Sequence, residues 1–327
     1  MMMDNELSLP SPGHSLSAHA SQSGESAAAA MRIAAKKTRS REIMLAYACL
    51  APSLLIFGLF LFYPLLKSVY LSLFLTDPQG RVAEFVGLDN FKEILASEMF
   101  YTSFWNTLLF ILLTVPTGIA AAILLAALTH NKLRGMKIFR FIFSLPMAVS
   151  VGTGSMIWMI LYHPTLGILN YFLSLLGSQP IQWLTDPKWA MISVALMTIW
   201  MNLGFNYILM LSGMQGVSED IYDSTKIDGS GPLRTFFRIT MPLISPTLFF
   251  TSVVSVIGAF QAFGQINILT KGGPMNSTNV MVFNIYQDAF VNFRFGIGSA
   301  QALILFAIIL LLTVFQFKFV EKKVHYQ

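Results

Sequence analysis

Six long uncharged runs alternate with polar connections along the chain: Ile43–Leu66, Phe104–Leu128, Phe141–Leu161, Ala190–Ser212, Leu243–Leu269 and Phe295–Phe317. A hydrocarbon core of about 30 Å is crossed by about 20 helical residues, and each run supplies them. The runs are too long and too apolar for strands. Their interior prolines, Pro116, Pro146 and Pro246, suit membrane helices, where neighbouring helices repair the lost backbone hydrogen bonds. The pattern predicts an all-α membrane protein with six transmembrane helices.

The placement of Lys and Arg predicts its orientation. Arg32, Lys36, Lys37, Arg39 and Arg41 precede the first run, and Lys132, Arg134, Lys137 and Arg140 join the second to the third. Lys226, Arg234 and Arg238 lie between the fourth and fifth, and Lys318, Lys322 and Lys323 follow the sixth. The opposite side carries Lys67, Arg81, Lys92, Lys188, Lys271 and Arg294, spread over longer loops. Cytoplasmic loops hold the excess of Lys and Arg, so both termini are expected in the cytoplasm.

Composition agrees with a membrane protein. Hydrophobic residues make up 55% and charged residues 11%, against about 25% charged in a soluble domain. The formal charge of +5 sits beside apolar runs and not on an aromatic-interleaved surface, which argues against nucleic acid. The one cysteine, Cys49, rules out an internal disulfide and is expected to be buried and inert. Residues 1–40 are expected to be a disordered cytoplasmic tail, since residues 1–30 are Ser-, Ala- and Gly-rich and too hydrophilic for a signal peptide. Met31, directly before the basic cluster, is a candidate biological start. Residues 41–327 then form the six-helix domain.

The outer connections carry local signals. In Thr76–Ser103, Asp89 or Asn90 is placed to cap a short helix with Phe91, Ile94 and Leu95 on one face. An interfacial helix packed on the bundle is expected there, with an external docking surface as the alternative. His163 precedes Pro164 with no second ligand nearby, which fits a turn and not a metal site. Trp183 and Trp189 fit an interfacial aromatic belt. The last outer loop has a Gly-Gly-Pro break at Gly272–Pro274, then an expected amphipathic helix over Thr278–Phe290. Lys271 beside these glycines lacks the spacing of a phosphate-binding loop.

Val217–Pro246, VSEDIYDSTKIDGSGPLRTFFRITMPLISP, is of another kind. Ser218 is a good N-cap, and Glu219, Asp220 and Asp223 complement the helix dipole. Gly229 is placed to end that helix. Ser224 and Thr225 are small enough for a partner surface to approach the backbone. Pro232 suits the first position of a second helix. On it Leu233, Phe236 and Phe237 share one face, while Arg234 and Arg238 share another near the head groups. Pro242 turns the chain into the fifth run. Head groups account for the arginines and phenylalanines, but not for a capped acidic helix held off the bilayer. A docked cytoplasmic partner accounts for both.

The segment resembles the EAA loop of bacterial ABC-importer permeases, in which E-A-A, three residues, G, nine residues and I-x-L-P recur. Those positions fall on Asp223, Ser224, Thr225, Gly229, Ile239, Met241 and Pro242, with the spacing intact and several letters softened. FVGLDNF at Phe85–Phe91, HPTLGILN at His163–Asn170 and GGP…ST…IY…AF across Gly272–Phe290 are similar to the carbohydrate-uptake permeases related to the maltose importer. The similarity runs from Tyr47 to Gln327. Within that family, IDGSGPLRTFFRITMPLISP and the C-terminal FQFKFVEKKVHYQ resemble members that carry sn-glycerol-3-phosphate.

The resemblance implies a type I permease fold, N-in and C-in, with a cytoplasmic coupling helix in loop 217–242. It assigns contact with an ATPase to Glu219, Asp220, Asp223, Ser224, Thr225, Asp228, Gly229 and Pro242. It also implies four kinds of partner: a second homologous permease subunit, a cytoplasmic ABC ATPase dimer, an extracytoplasmic substrate-binding protein and membrane lipid. The implied cargo is sn-glycerol-3-phosphate or glycerophosphodiesters. The chain contains no G-x-x-x-x-G-K-[ST], so ATP would be hydrolysed by the partner. A non-catalytic subunit with no cofactor and no metal is expected.

Five polar residues within the apolar runs are candidates for contact with a cargo: Asn202 and Asn206 in the fourth, Gln261, Gln265 and Asn267 in the fifth. Asn202 with Asn206, and Gln261 with Gln265, share helix faces at i,i+4 spacing. Such groups either line a water-filled path or bond between helices, at about 0.6 kcal/mol each. No cation lies within any run. A neutral oligosaccharide is therefore the alternative cargo. A proton- or sodium-driven secondary transporter would place an ionisable group near the midplane, and the runs have none.

Overall fold

The structure is a computed structural model and describes residues 42–130 and 134–321. The expected tail over 1–40 with its basic cluster, Lys132, Lys322 and Lys323 lie outside the described residues. The chain divides into two compact units between Lys67 and Ser68. The first is described from Glu42 and holds most of α1 (Glu42–Ser72). A π-helical turn at Gly58–Phe62 precedes Pro64, where proline cannot supply the N–H that would close an ordinary turn. Cys49 is exposed, contrary to the expectation of burial.

The second unit starts with the last turn of α1 and an antiparallel hairpin, β1 (Phe74–Thr76) with β2 (Val82–Phe85), in which Phe74 faces Phe85. Strands this short show no legible alternation, so the sequence pattern does not announce them. Next come α2 (Asp89–Ala96), α3 (Glu98–Thr129), α4 (Met136–Ser144), α5 (Val151–Leu161), α6 (Ile168–Leu175) and α7 (Pro187–Gln215). They are followed by α8 (Glu219–Ile227), α9 (Pro232–Leu243), α10 (Ser245–Phe260), α11 (Gly264–Leu269), α12 (Met281–Tyr286) and α13 (Phe295–Phe315).

Helices α3 and α7, about 48 and 43 Å long at 1.5 Å per residue, form the spine. They run parallel: Phe110 and Val115 meet Met191 and Val194, and a helix-length further on Ala122 and Ala126 meet Tyr207, Met210 and Met214. Gly118, Ala122 and Ala126 are buried at four-residue spacing, and small side chains at that spacing let backbones approach closely. The Thr129 hydroxyl closes the contact on the Tyr207 hydroxyl at 2.7 Å. Pro116 lies inside α3 without ending it. On either side of it Thr114 and Thr117 donate to the Phe110 and Leu113 carbonyls one turn back.

Two of the expected spans are bent. In the third run α4 and α5 meet at 104° across the 3₁₀ turn Leu145–Ala148, which contains Pro146. Ser150 caps the restart by accepting from Thr153 N at 3.2 Å. At its 11 residues α5 is about 16 Å long, so the run is a bent pair of helices and not a single helix. It descends against α7: Phe143 packs on Tyr207, Gly154 sits beside Met197 and Met201, and Tyr162 donates to Ser193 O at 2.8 Å. In the fifth run α9 and α10 meet at 68°. Pro246 falls in the first turn of α10, where its missing N–H costs nothing. Helix α10 ends at Phe260, and α11 is separate. Gln261 and Gln265 therefore do not share a helix face as expected.

The end that carries the hairpin is tied by buried amides. Asn90 does not cap α2: its Nδ2 donates to Ser72 O at 2.8 Å and Phe74 O at 3.1 Å, which satisfies carbonyls where α1 gives way to the hairpin. Asp89 is the first residue of α2 and pairs with Lys92. Ile94 is buried but Leu95 is exposed, so the apolar face is narrower than expected. Asn170 accepts from Ile181 N at 3.1 Å and Trp183 Nε1 at 2.9 Å, and donates to Pro164 O and Ile181 O. It thereby holds Trp183 edge-on to Trp189. His163 makes the expected turn, its Nδ1 accepting from Leu166 N at 3.1 Å. The helix expected over Thr278–Phe290 begins at Met281 and ends in a π turn at Gln287–Val291.

Candidate functional site

At the end of the molecule where α3 and α7 finish, Val217–Pro246 folds as two capped helices. Ser218 Oγ accepts from Asp220 N at 3.3 Å to start α8. Gly229 ends it at φ +68°. Ser230 N reaches Thr225 O at 3.0 Å and Gly229 N reaches Lys226 O at 3.1 Å, the paired bonds of a Schellman cap. Pro232 opens α9, and Pro242 lies in its last turn before the bend.

The roll of α8 sorts the expected contact residues. Glu219, Asp220, Asp223, Ser224, Asp228 and Gly229 are exposed. Thr225 is buried, its hydroxyl donating to Tyr222 O at 2.7 Å. It faces its own chain, so of the two small residues expected to admit a partner Ser224 is the exposed one. The inward side of α8 also carries Ile221 and Tyr222, which pack with Met214, Val217 and Phe236. Asp223 accepts from Lys226 Nζ at 2.8 Å, and this bond and charge hold the ammonium above its ordinary pKa range. Both groups are exposed, so the pair adds little stability. Behind α8 lies a cavity of about 780 Å³ lined by Arg140, Tyr222, Thr225, Phe236 and Thr240 among others.

Ile227 was not singled out by sequence, yet it is 87% exposed in the last turn of α8. A signal was available. Ile227 falls about 200° around the helix from the inward Thr225, so its apolar side chain is aimed away from the bundle.

A second face lies where α7 meets α10. Ser255 Oγ donates to Asn206 Oδ1 at 3.4 Å, and Asn206 is buried between the helices. Closer to α8 the packing tightens: a Cβ on Gly213 would lie 2.8 Å from Thr247 Oγ1. Beyond this seam, Asn202, Phe205 and Ser212 of α7 and Phe250 and Gly258 of α10 are exposed, as is Gln261 at the end of α10. Asn202 and Gln261 are thus polar groups on an uncovered face. Gln265 is instead buried, its Nε2 donating to Thr198 Oγ1 at 3.3 Å. Asn267 is half-buried in α11. The five polar residues separate into two that are presented and two that bond between elements, with Asn267 intermediate.

Residues 103–326 match the family described as "Binding-protein-dependent transport system inner membrane component". The chain belongs to this family. The permease is 35% identical over 290 residues to the "sn-glycerol-3-phosphate transport system permease protein UgpA" of Pectobacterium atrosepticum, covering 88% of this chain and 97% of that one. It is also 35% identical over 286 residues to the protein of the same name from Agrobacterium fabrum, covering 86% and 97%. A chain of a bacterial alginate ABC transporter, solved with an alginate pentasaccharide-bound periplasmic protein, superposes with TM-score 0.75 at 25% identity, over 84% of this chain and 93% of that one. A second alginate importer structure gives TM-score 0.76 at 24% identity, over 86% and 96%. The protein is thus a multi-pass permease of the bacterial inner membrane and a subunit of an ABC importer.

Proposed function

We propose that this permease forms half of the translocation path for sn-glycerol-3-phosphate or its diesters and couples it to a separate ATPase. The observation that carries the coupling is α8, a Schellman-capped acidic helix that exposes Ile227 beside Asp223, Ser224 and Gly229. A partner that covers it removes apolar area from water, at about 25 cal/mol per Å². The ATPase dimer sits on α8, a second permease subunit faces the uncovered α7–α10 surface, and a binding protein delivers cargo from outside. The chain itself makes and breaks no covalent bond.

Six crossings with both termini inside is the topology of this reading. Four helices are long enough to span alone, and the two bent pairs supply the others. The parallel run of α3 and α7, with α4–α5 antiparallel between them, fits one return crossing. The tail over 1–40 precedes this domain, and loop 217–242 is its coupling loop. Asn202 and Gln261 line the path. Asn206, Gln265 and Asn267 support it from behind.

The cargo follows from the relatives named for sn-glycerol-3-phosphate transport. The absence of any cation in the six runs favours a second reading, a neutral oligosaccharide. Reconstitution of the complete importer with loaded binding protein separates them. Stimulation of ATP hydrolysis by glycerol phosphate and not by a disaccharide is expected. The reverse result overturns the cargo assignment.

A further inference from the structure

We propose that α4 is a seat for anionic lipid head groups, an inference that rests on the cytoplasmic placement of the α4 end in the topology above. Two inward contacts fix the roll of this helix. Arg140 donates from Nε and Nη2 to Thr129 O at 3.1 and 2.8 Å, and from Nη2 to His130 O at 3.2 Å, binding α4 to the end of α3. Phe143 meets Tyr207 edge-on at 5.8 Å. With that side held, Ile138, Phe141 and Ile142 face outward together, being spaced i, i+3, i+4. They are 64%, 65% and 52% exposed. Arg134 and Lys137 are exposed at the leading end of this face. Neither joins an ion pair among the described residues.

The depth of the helix matches the layers of a leaflet. Arg140 lies level with Thr129, where α3 ends. Four residues on, Ser144 O would lie 2.8 Å from a Cβ on Gly204, about one turn of α7 beyond the Tyr207 that Thr129 meets. Thus α4 runs inward from that end, with Arg134 and Lys137 first, Ile138 at the level of Arg140, and Phe141 and Ile142 deepest. That order places ammonium and guanidinium groups among phosphates, Ile138 at the boundary, and Phe141 and Ile142 among acyl chains. A protein occupant suits the face less well, because protein interfaces are depleted in lysine and two desolvated cations need counter-charges. Two exposed cations with no counter-charge among the described residues select anionic over neutral lipid, at about 1 kcal/mol each, or about 25-fold for the pair.

The test places p-benzoylphenylalanine at Phe141 in the full chain, purified with its partner subunits into phosphatidylcholine discs doped with phosphatidylglycerol. Irradiation is expected to yield lipid adducts whose phosphatidylglycerol-to-phosphatidylcholine ratio exceeds that of the disc about 25-fold. In Arg134→Gln/Lys137→Gln the excess should fall to parity while total lipid adducts persist. An adduct to another protein chain overturns the proposal by making the face a subunit interface. Adducts that follow the disc composition in both proteins overturn the selectivity. A Cys49→Ser/Ser224→Cys variant labelled by an impermeant maleimide reads orientation separately. Labelling from outside intact cells would sink the topology without altering the meaning of the adducts.

Discussion

Gly229 offers the sharpest test of coupling, because the structure separates its cost to the fold from its cost to docking. The residue sits at φ +68° with nothing of its own chain within 4 Å of a would-be Cβ. A side chain there meets no internal clash and incurs only the left-handed penalty, about 1–2 kcal/mol and less for Asn or Asp. A domain stable by about 5–15 kcal/mol tolerates that. Gly229→Asp and the isosteric Gly229→Asn should therefore insert normally and melt within a few degrees of the parent. Both place new atoms in the open space beside Ile227, where the ATPase is proposed to sit. Loss of ATPase co-purification and of transport is expected for both. Full transport by Gly229→Asp would refute the docking of α8. Failure of Asp alone, with Asn active, would move the cause from shape to charge.

Ile227→Ala should leave the stability of the chain within about 0.5 kcal/mol but weaken ATPase affinity about 10- to 100-fold, the worth of burying such a side chain. Pull-down at graded salt reads this, and unchanged affinity would count against docking through Ile227. Asn170→Ala strips Ile181 N–H and Trp183 Nε1 of their acceptor, at about 1–3 kcal/mol per stranded group. A lower Tm and altered tryptophan emission are expected, and an unchanged Tm would deny the brace. Gly213→Ala drives a Cβ against Thr247 and should cost about 1–3 kcal/mol by overpacking. Adding Thr247→Ala should restore part of the lost Tm, and no restoration would mean that the seam is not limited by this contact.

How far the site was legible can be followed along one helix. Ser218, Gly229 and Pro232 are readable because a cap or a helix start concerns one residue and the backbone within a few positions of it. The division of labour in α8 is not readable that way. Ser224 and Thr225 look alike in sequence, yet Ser224 is exposed and Thr225 is turned against its own bundle. The apolar Ile227 points the other way. Which side of α8 is inward depends on Met214, Val217 and Phe236, which lie before and after it in the chain.

The same distinction runs through the whole protein. Sequence alone determined the apolar runs, the basic flanks and the spacing of the α8 segment, since hydrocarbon thickness, Lys and Arg placement and helix caps act on short stretches of chain. Tertiary structure decided that the third run breaks near Pro146 while Pro116 is tolerated inside α3, and that the fifth run, whose entry turn at Pro242 was legible, is interrupted again after Phe260. It decided that Asn206 and Gln265 are satisfied by Ser255 and Thr198, and that Asn202 and Gln261 stay presented. A polar group in a membrane span has to find a partner or water, and the identity of that partner is written in another helix, 49 residues away for Asn206 and 67 for Gln265.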